Sequence, residues 1–217
     1  AVLVINISHV HMHSNIFISN KGKQGGGIWL ALILSVVQFK NIFLLNHAEI
    51  KGGAVYVKET TSILITNTRL KDNCARRRGG ALLIEYVKTI KIISTDTISN
   101  QANMYGGGCR FFRSKFVTLL RNYCFKNLVT GFGGGIGIIQ CKVIYIIESA
   151  FVKNKVKHYD GGGIYLESGY VLNVKNTVFL GNRVAYYYGG GILADKITCV
   201  TFIGCKFINK DDKYDGG

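Results

Sequence analysis

Gly161-Gly162-Gly163-Ile164-Tyr165-Leu166 returns, with variations, along the whole chain. A glycine pair or triplet ends at Gly27, Gly53, Gly80, Gly108, Gly135, Gly163, Gly191 and Gly217, in steps of 26 to 28 residues. The first seven are each followed by a short apolar run, such as Ile28-Trp29-Leu30, Ala54-Val55-Tyr56, Ala81-Leu82-Leu83 or Ile192-Leu193-Ala194. The chain opens on a run of the same kind, Ala1-Val2-Leu3. A fixed period of this size is the signature of stacked repeats. The eight repeats 1–27, 28–53, 54–80, 81–108, 109–135, 136–163, 164–191 and 192–217 leave no residue over. Residues 1–217 therefore read as one domain. Because both ends fall at the same phase, they also read as a segment of a longer solenoid or fibre.

Each repeat carries a second apolar run in its middle, such as Val36-Val37-Gln38-Phe39 or Val171-Leu172-Asn173-Val174, and a shorter third, such as Ile16-Phe17-Ile18 or Val178-Phe179-Leu180. β-branched and aromatic residues dominate these runs, and no stretch has the period of an amphipathic helix. Three short strands and three turns in about 27 residues describe one coil of a parallel β-helix. Stacking is obligatory for such a coil, since it cannot bury its apolar face alone. The pattern predicts an all-β, right-handed parallel β-helix of about eight coils. Alternation along the first strand predicts two inward columns. One is Ala1, Ile28, Ala54, Ala81, Cys109, Ile136, Ile164 and Ile192; the other is Leu3, Leu30, Tyr56, Leu83, Phe111, Ile138, Leu166 and Ala194. Trp29, Arg110 and Tyr165, which lie between them, are expected to face out.

An asparagine recurs seven to nine residues before the last glycine of every repeat: Asn20, Asn46, Asn73, Asn100, Asn127, Asn154, Asn182 and Asn209. A side-chain amide both donates and accepts, so copies stacked at the ~4.8 Å strand spacing can bond from coil to coil. This is read as a structural ladder. A weaker second ladder is expected at Asn15, Asn41, Asn67, Asn122 and Asn176.

The spacings Phe17-x-x-Asn20, Phe43-x-x-Asn46, Phe151-x-x-Asn154 and Phe179-x-x-Asn182, each followed by glycines and a small or branched apolar residue, carry a resemblance. The chain resembles the GGAI and FxxN repeats of chlamydial polymorphic outer membrane proteins. More broadly, it is similar to right-handed parallel β-helices of the pectin-lyase-like class. The resemblance implies the fold across all 217 residues. It does not select a function, because that class holds adhesins, fibre proteins and polysaccharide enzymes. Departures occur at Phe125 and Phe207, one residue nearer the asparagine, and at Leu70 and Ile98, which stand for Phe. The 217 residues contain no translocator barrel, so a membrane-anchored role is not expected of them.

Apolar residues make up 48% of the chain and charged residues 18%, a balance that supports a continuous core and argues against disorder. Proline is absent, and glycine turns the chain instead. The longest apolar run, 28–39, is too short to span a bilayer. Six cysteines, Cys74, Cys109, Cys124, Cys141, Cys199 and Cys205, form no CxxC pair and occupy different phases, so a disulfide framework is not expected. The formal net charge is +15. Arg76, Arg77 and Arg78 are consecutive, and Arg110, Arg113, Lys115 and Arg121 crowd a coil without an acid. Such a surface attracts anionic polymers. Anionic polysaccharide is the partner expected here, and nucleic acid is not.

Other constellations could carry chemistry. Glu167 and Asp195 share one phase on neighbouring coils, as paired acid and base carboxylates of a glycosidase would. They could equally be a solvated pair or a weak cation site. His9, His11 and His13 share one strand face and are candidate metal ligands if that face is outward. Counting back from Asn15 aligns His11 and His13 with Val37 and Phe39 and turns them in, whereas Val10 and Met12 argue for the opposite register. Tyr105, Tyr159, Tyr186-Tyr187-Tyr188 and Tyr214 gather aromatics before the glycines, where they pack over the turn or bind a ring-shaped ligand. Asn6-Ile7-Ser8 is the one glycosylation sequon. No cofactor is expected. The sequence favours a non-catalytic structural or interaction module of an extracellular or cell-surface protein, meeting further coils of itself head to tail or the rest of a longer chain. A carbohydrate-active enzyme of pectin-lyase-like fold and a polyanion-binding module are the alternatives.

Overall fold

The computed structural model describes residues 1–208. They form an all-β right-handed parallel β-helix of about eight coils, in which every ladder pairs a strand with the same strand one coil away. The run after the glycines and the mid-coil run lie in one sheet of 14 strands. In coils seven and eight they fuse into the 12-residue strands Ile164–Lys175 and Ile192–Ile203. The third run, for example Ala150–Val152, builds a second sheet, and a short strand such as Lys155–Val156 builds a third.

Single residues in the left-handed region turn the chain at each corner. Lys40, Asn67, Ser94, Arg121, Glu148 and Asn176 form one such column, with φ between 48° and 54°. The residue after each of them faces in, which explains the second polar column. Its members are Asn15, Asn41, Thr68, Thr95, Asn122, Ser149 and Thr177; Thr95 N–H donates to Asn122 Oδ1, Asn122 N–H to Ser149 Oγ and Ser149 N–H to Thr177 Oγ1. Asn67 and Asn176 are therefore corner residues, not ladder members.

The main asparagine ladder runs from Asn20 to Asn182; Asn209 lies outside the described residues. Asn127 shows the pattern. Its Nδ2 donates to Asn154 Oδ1 at 3.0 Å and to the Thr97 carbonyl at 2.8 Å, while its Oδ1 accepts from Asn100 N–H and Nδ2 at 2.9 and 3.0 Å. Each inner amide of the ladder is fully buried, so its bonds replace water completely. Three residues before each ladder asparagine is an inward position. Phe17 stacks on Phe43, and Phe151 on Phe179, with ring planes 6° and 7° apart. Leu70, Thr97 and Cys124 fill this column in the middle coils. Thr97 and Cys124, rather than Ile98 and Phe125, thus take the place of Phe, and Thr97 Oγ1 donates to Cys124 Sγ at 3.1 Å.

Register along the first strand is set by the first glycine of each group, not the last. In the two-glycine coils, Ala54 and Ala81 stand where other coils have a third glycine. Val55 pairs with Ile28 and Leu82, and Leu82 pairs with Cys109. The inward columns are therefore Val2, Ile28, Val55, Leu82, Cys109, Ile136, Ile164, Ile192 and Val4, Leu30, Val57, Ile84, Phe111, Ile138, Leu166, Ala194. Leu3, Tyr56 and Leu83, expected inside, belong instead to the outward column with Trp29, Arg110 and Tyr165. The second glycine is the one that lies directly against the backbone of the next coil. A Cβ on Gly80 would overlap the carbonyl oxygen of Gly107, and one on Gly53 that of Gly80.

Candidate functional site

In coils three to seven the outward column of the first strand is itself buried. Tyr56, Leu83, Arg110 and Tyr165 are at most 7% exposed. Their cover is the segment that arches toward the glycines. Lys51, Arg78, Tyr105 and Phe132 stand in register there through backbone bridges. The Lys51 ammonium lies 5.4 Å from the Tyr56 ring centre, Tyr105 covers Arg110 at 4.7 Å, and Phe132 meets Tyr165 at 4.7 Å. The coil thus holds a second, polar layer outside its apolar core.

Glu85 is the centre of this layer. It is 3% exposed, and its Oε2 accepts from Tyr56 Oη at 2.8 Å and from Lys51 Nζ at 3.0 Å. Its Oε1 stands 3.8 Å from Arg110 Nη1. Lys51, Tyr56, Glu85 and Arg110 come from four successive coils, and only the first-strand register brings them together. Burial, then the charge of Glu85, raises the Tyr56 pKa. Burial, then the charge of Arg78, pulls Arg110 down to about 10. This is the cluster of outward acids and bases over neighbouring coils that a catalytic reading requires, and sequence reasoning missed it. The phase shift in the two-glycine coils had hidden Tyr56 and Glu85. Its burial leaves the carboxylate no face to offer a substrate.

Glu167 and Asp195 do pair on adjacent strands. Glu167 accepts from Tyr165 Oη at 3.3 Å, and exposed Asp195 pairs with Lys196 at 3.4 Å. The neighbouring hollow of about 390 Å³ is lined by Lys142, Ser168, Tyr170 and Lys196 among others, and by neither carboxylate. The three histidines face out, with Val10 and Met12 facing in. His11 and His13 do align with Val37 and Phe39, but Val36 and Gln38 are the inward residues of that strand. His13 stacks on Phe39 at 5.0 Å. Among the described residues, no three His, Cys, Asp or Glu side chains are grouped to hold a metal.

The basic candidates separate around the coil. Arg76 and Arg77 are exposed and line an open groove of about 460 Å³ with Glu49, Ile50, Asn103 and Met104. Arg78 is part of the arch and half-buried, and Arg110 lies buried under it. Arg113 sits at the next corner, donating to Gln140 Oε1 at 2.7 Å, with Lys115 beside it. Arg121 occupies the corner after the mid-coil strand. The tyrosines form stacked columns: Tyr105 on Phe132, Phe132 on Tyr159, Tyr159 on Tyr187, and His158 on Tyr186. A hollow of about 640 Å³ opens among His158, Tyr159 and Tyr186–Tyr188. Tyr214 lies outside the described residues. Asn6 is exposed at a corner. All six cysteines are free. Burial pushes Cys124 up to about 12 and Cys141 to about 11. Among the described residues, no helix is long and apolar enough to cross a membrane.

The geometry defines a solenoid whose variable chemistry lies on its outer surface. The family model described as "right handed beta helix region" matches residues 34–207, and the chain belongs to that family. No curated protein and no solved structure matches it.

Proposed function

We propose that the chain is a structural and interaction segment of an extracellular fibre or cell-surface protein, a rod that stacks end to end with further coils. Those coils belong either to the same chain or to a second copy. The observation that carries this reading is the uniformity of the coils. Each keeps 26 to 28 residues, so no long loop walls off a cleft. The apolar columns also run to both ends of the described solenoid, where Val2 and Phe202 are each 46% exposed. Electron microscopy of the purified chain tests the reading. Filaments or axial dimers with a repeat near 38 Å per eight coils support it. Copies that meet only through their flanks would sink it.

The exposed Arg76–Arg77 groove favours a second role, contact with anionic polysaccharide. Retention on heparin should fall steeply with salt and fall again in the charge-reversed double variant Arg76→Glu, Arg77→Glu. Retention indifferent to both removes this role. The enzyme alternative rests on Glu167 beside Asp195. Release of reducing ends from uronic-acid polymers, abolished in Glu167→Gln, would establish it in place of the structural reading.

A further inference from the structure

Charge and hydrogen bonding do not balance beneath the arch. Lys51, Arg78 and Arg110 bring three positive charges there, and Glu85 is in contact with Lys51 and Arg110. Its Oε2 is already engaged by Tyr56 and Lys51, and its Oε1 stands 3.8 Å from Arg110, beyond hydrogen-bond range. The next carboxylate, Glu59, is held by Lys58 at 2.6 Å. Arg110 is 3% exposed, and its guanidinium lies over the Tyr105 and Phe112 rings at 4.7 and 4.9 Å. Ring faces stabilise a cation but accept no N–H in its plane. Arg110 Nε and Nη1 and Arg78 Nε are all buried without an acceptor.

A buried donor on a charged group costs more than an ordinary unmade bond, and two neighbouring cations compound the cost. A guanidinium does not escape by losing its proton at neutral pH. One species answers both deficits: an acceptor that carries negative charge. We propose that a small inorganic anion of halide size binds beneath the arch between the guanidinium groups of Arg78 and Arg110. The site excludes a polymer, because Arg110 is 3% exposed and the Arg78 Nε is buried. A small ion enters past Lys51, whose side chain is 24% exposed. The anion serves as an internal counter-ion, and it lets the solenoid bury arginines on its outer face. The inference is independent of the Arg76–Arg77 groove, where an extended ligand would lie.

Bromide is the probe, because it substitutes for chloride and scatters anomalously. Crystals of the intact chain grown in bromide should give an anomalous peak within hydrogen-bonding reach of Arg110 and Arg78 Nε. In solution, bromide at constant ionic strength, balanced by a bulky organic sulfonate, should raise the melting temperature saturably. The expected rise is roughly 3–6 °C at ten times the dissociation constant. Arg110→Met should flatten that dependence. If Arg110→Met does not fold, Arg78→Met gives the same comparison, and the wild-type crystal stands without either variant. Bromide found only beside exposed Arg76 and Arg77, or nowhere, overturns the proposal. So does a melting temperature that follows ionic strength whatever the anion.

Discussion

Each inner ladder asparagine spends both amide hydrogens and both oxygen lone pairs on bonds to neighbouring coils. Asn127 makes four such bonds while fully buried, whereas Asn20, in the first coil, donates upward only to Asn46 and accepts nothing from below. Leucine at position 127 would leave Asn100 N–H without a partner and would take one donor each from Asn154 Oδ1, which keeps the backbone N–H of residue 127, and from the Thr97 carbonyl. Asn127→Leu should therefore cost about 1–3 kcal/mol per orphaned buried group. Asn20→Leu should cost less, because only Asn46 loses a partner. Urea unfolding of the two variants checks this, and equal small losses would contradict the ladder's role. The ladder was legible in the sequence because one residue type recurred at one phase. Glu85 was not legible, because it is the one acid of its kind under the arch and its partners are 25 to 34 residues away.

The glycine turn is the element that sets both spacing and register. Its first glycine takes a left-handed φ, 71° at Gly133. Its second glycine meets the carbonyl of the next coil, so that a Cβ on Gly134 would overlap Gly162 O. Gly137, out on the strand, is different: its nearest neighbour to an added Cβ is Gly106 N at 3.3 Å, a contact small shifts relieve. Gly134→Ala should then destabilise by at least about 2 kcal/mol, and Gly137→Ala by less than about 1 kcal/mol. Thermal unfolding of the pair decides, and equal effects would mean the coils are less tightly apposed than the backbone spacing says. The third position is graded: an added Cβ would stand 3.0 Å from the next coil's carbonyl oxygen at Gly27 but 2.7, 2.6 and 2.4 Å from it at Gly108, Gly135 and Gly163, and alanine occupies this position only at 54 and 81 among the described coils.

Among the described residues, every strand pairs only with strands of the coils directly before and after it. Stability is then close to a sum of coil terms and nearest-neighbour terms. Removing residues 136–163 joins Gly135 to Ile164, and Ile164 already shares a column with Cys109 and Ile136. The shortened chain should fold with the same β-sheet circular dichroism per residue and melt cooperatively. A disordered product would show that the coils depend on more than their neighbours.

The sequence by itself determined the solenoid, its coil length and the asparagine ladder, because these follow from periodicity. Periodicity is a property of the order of residues and survives without coordinates. It could not determine which residues face out in the two-glycine coils, since a shift of one residue exchanges the two faces of a strand. Only the tertiary structure decided that Val55 and Leu82 lie inside, and that the histidines face solvent. It alone brought Lys51, Tyr56, Glu85 and Arg110 into one buried layer. That layer exists because residues from four coils meet at the ~4.8 Å stacking distance beneath an arch. The arch leaves no mark on the composition or spacing of any single repeat.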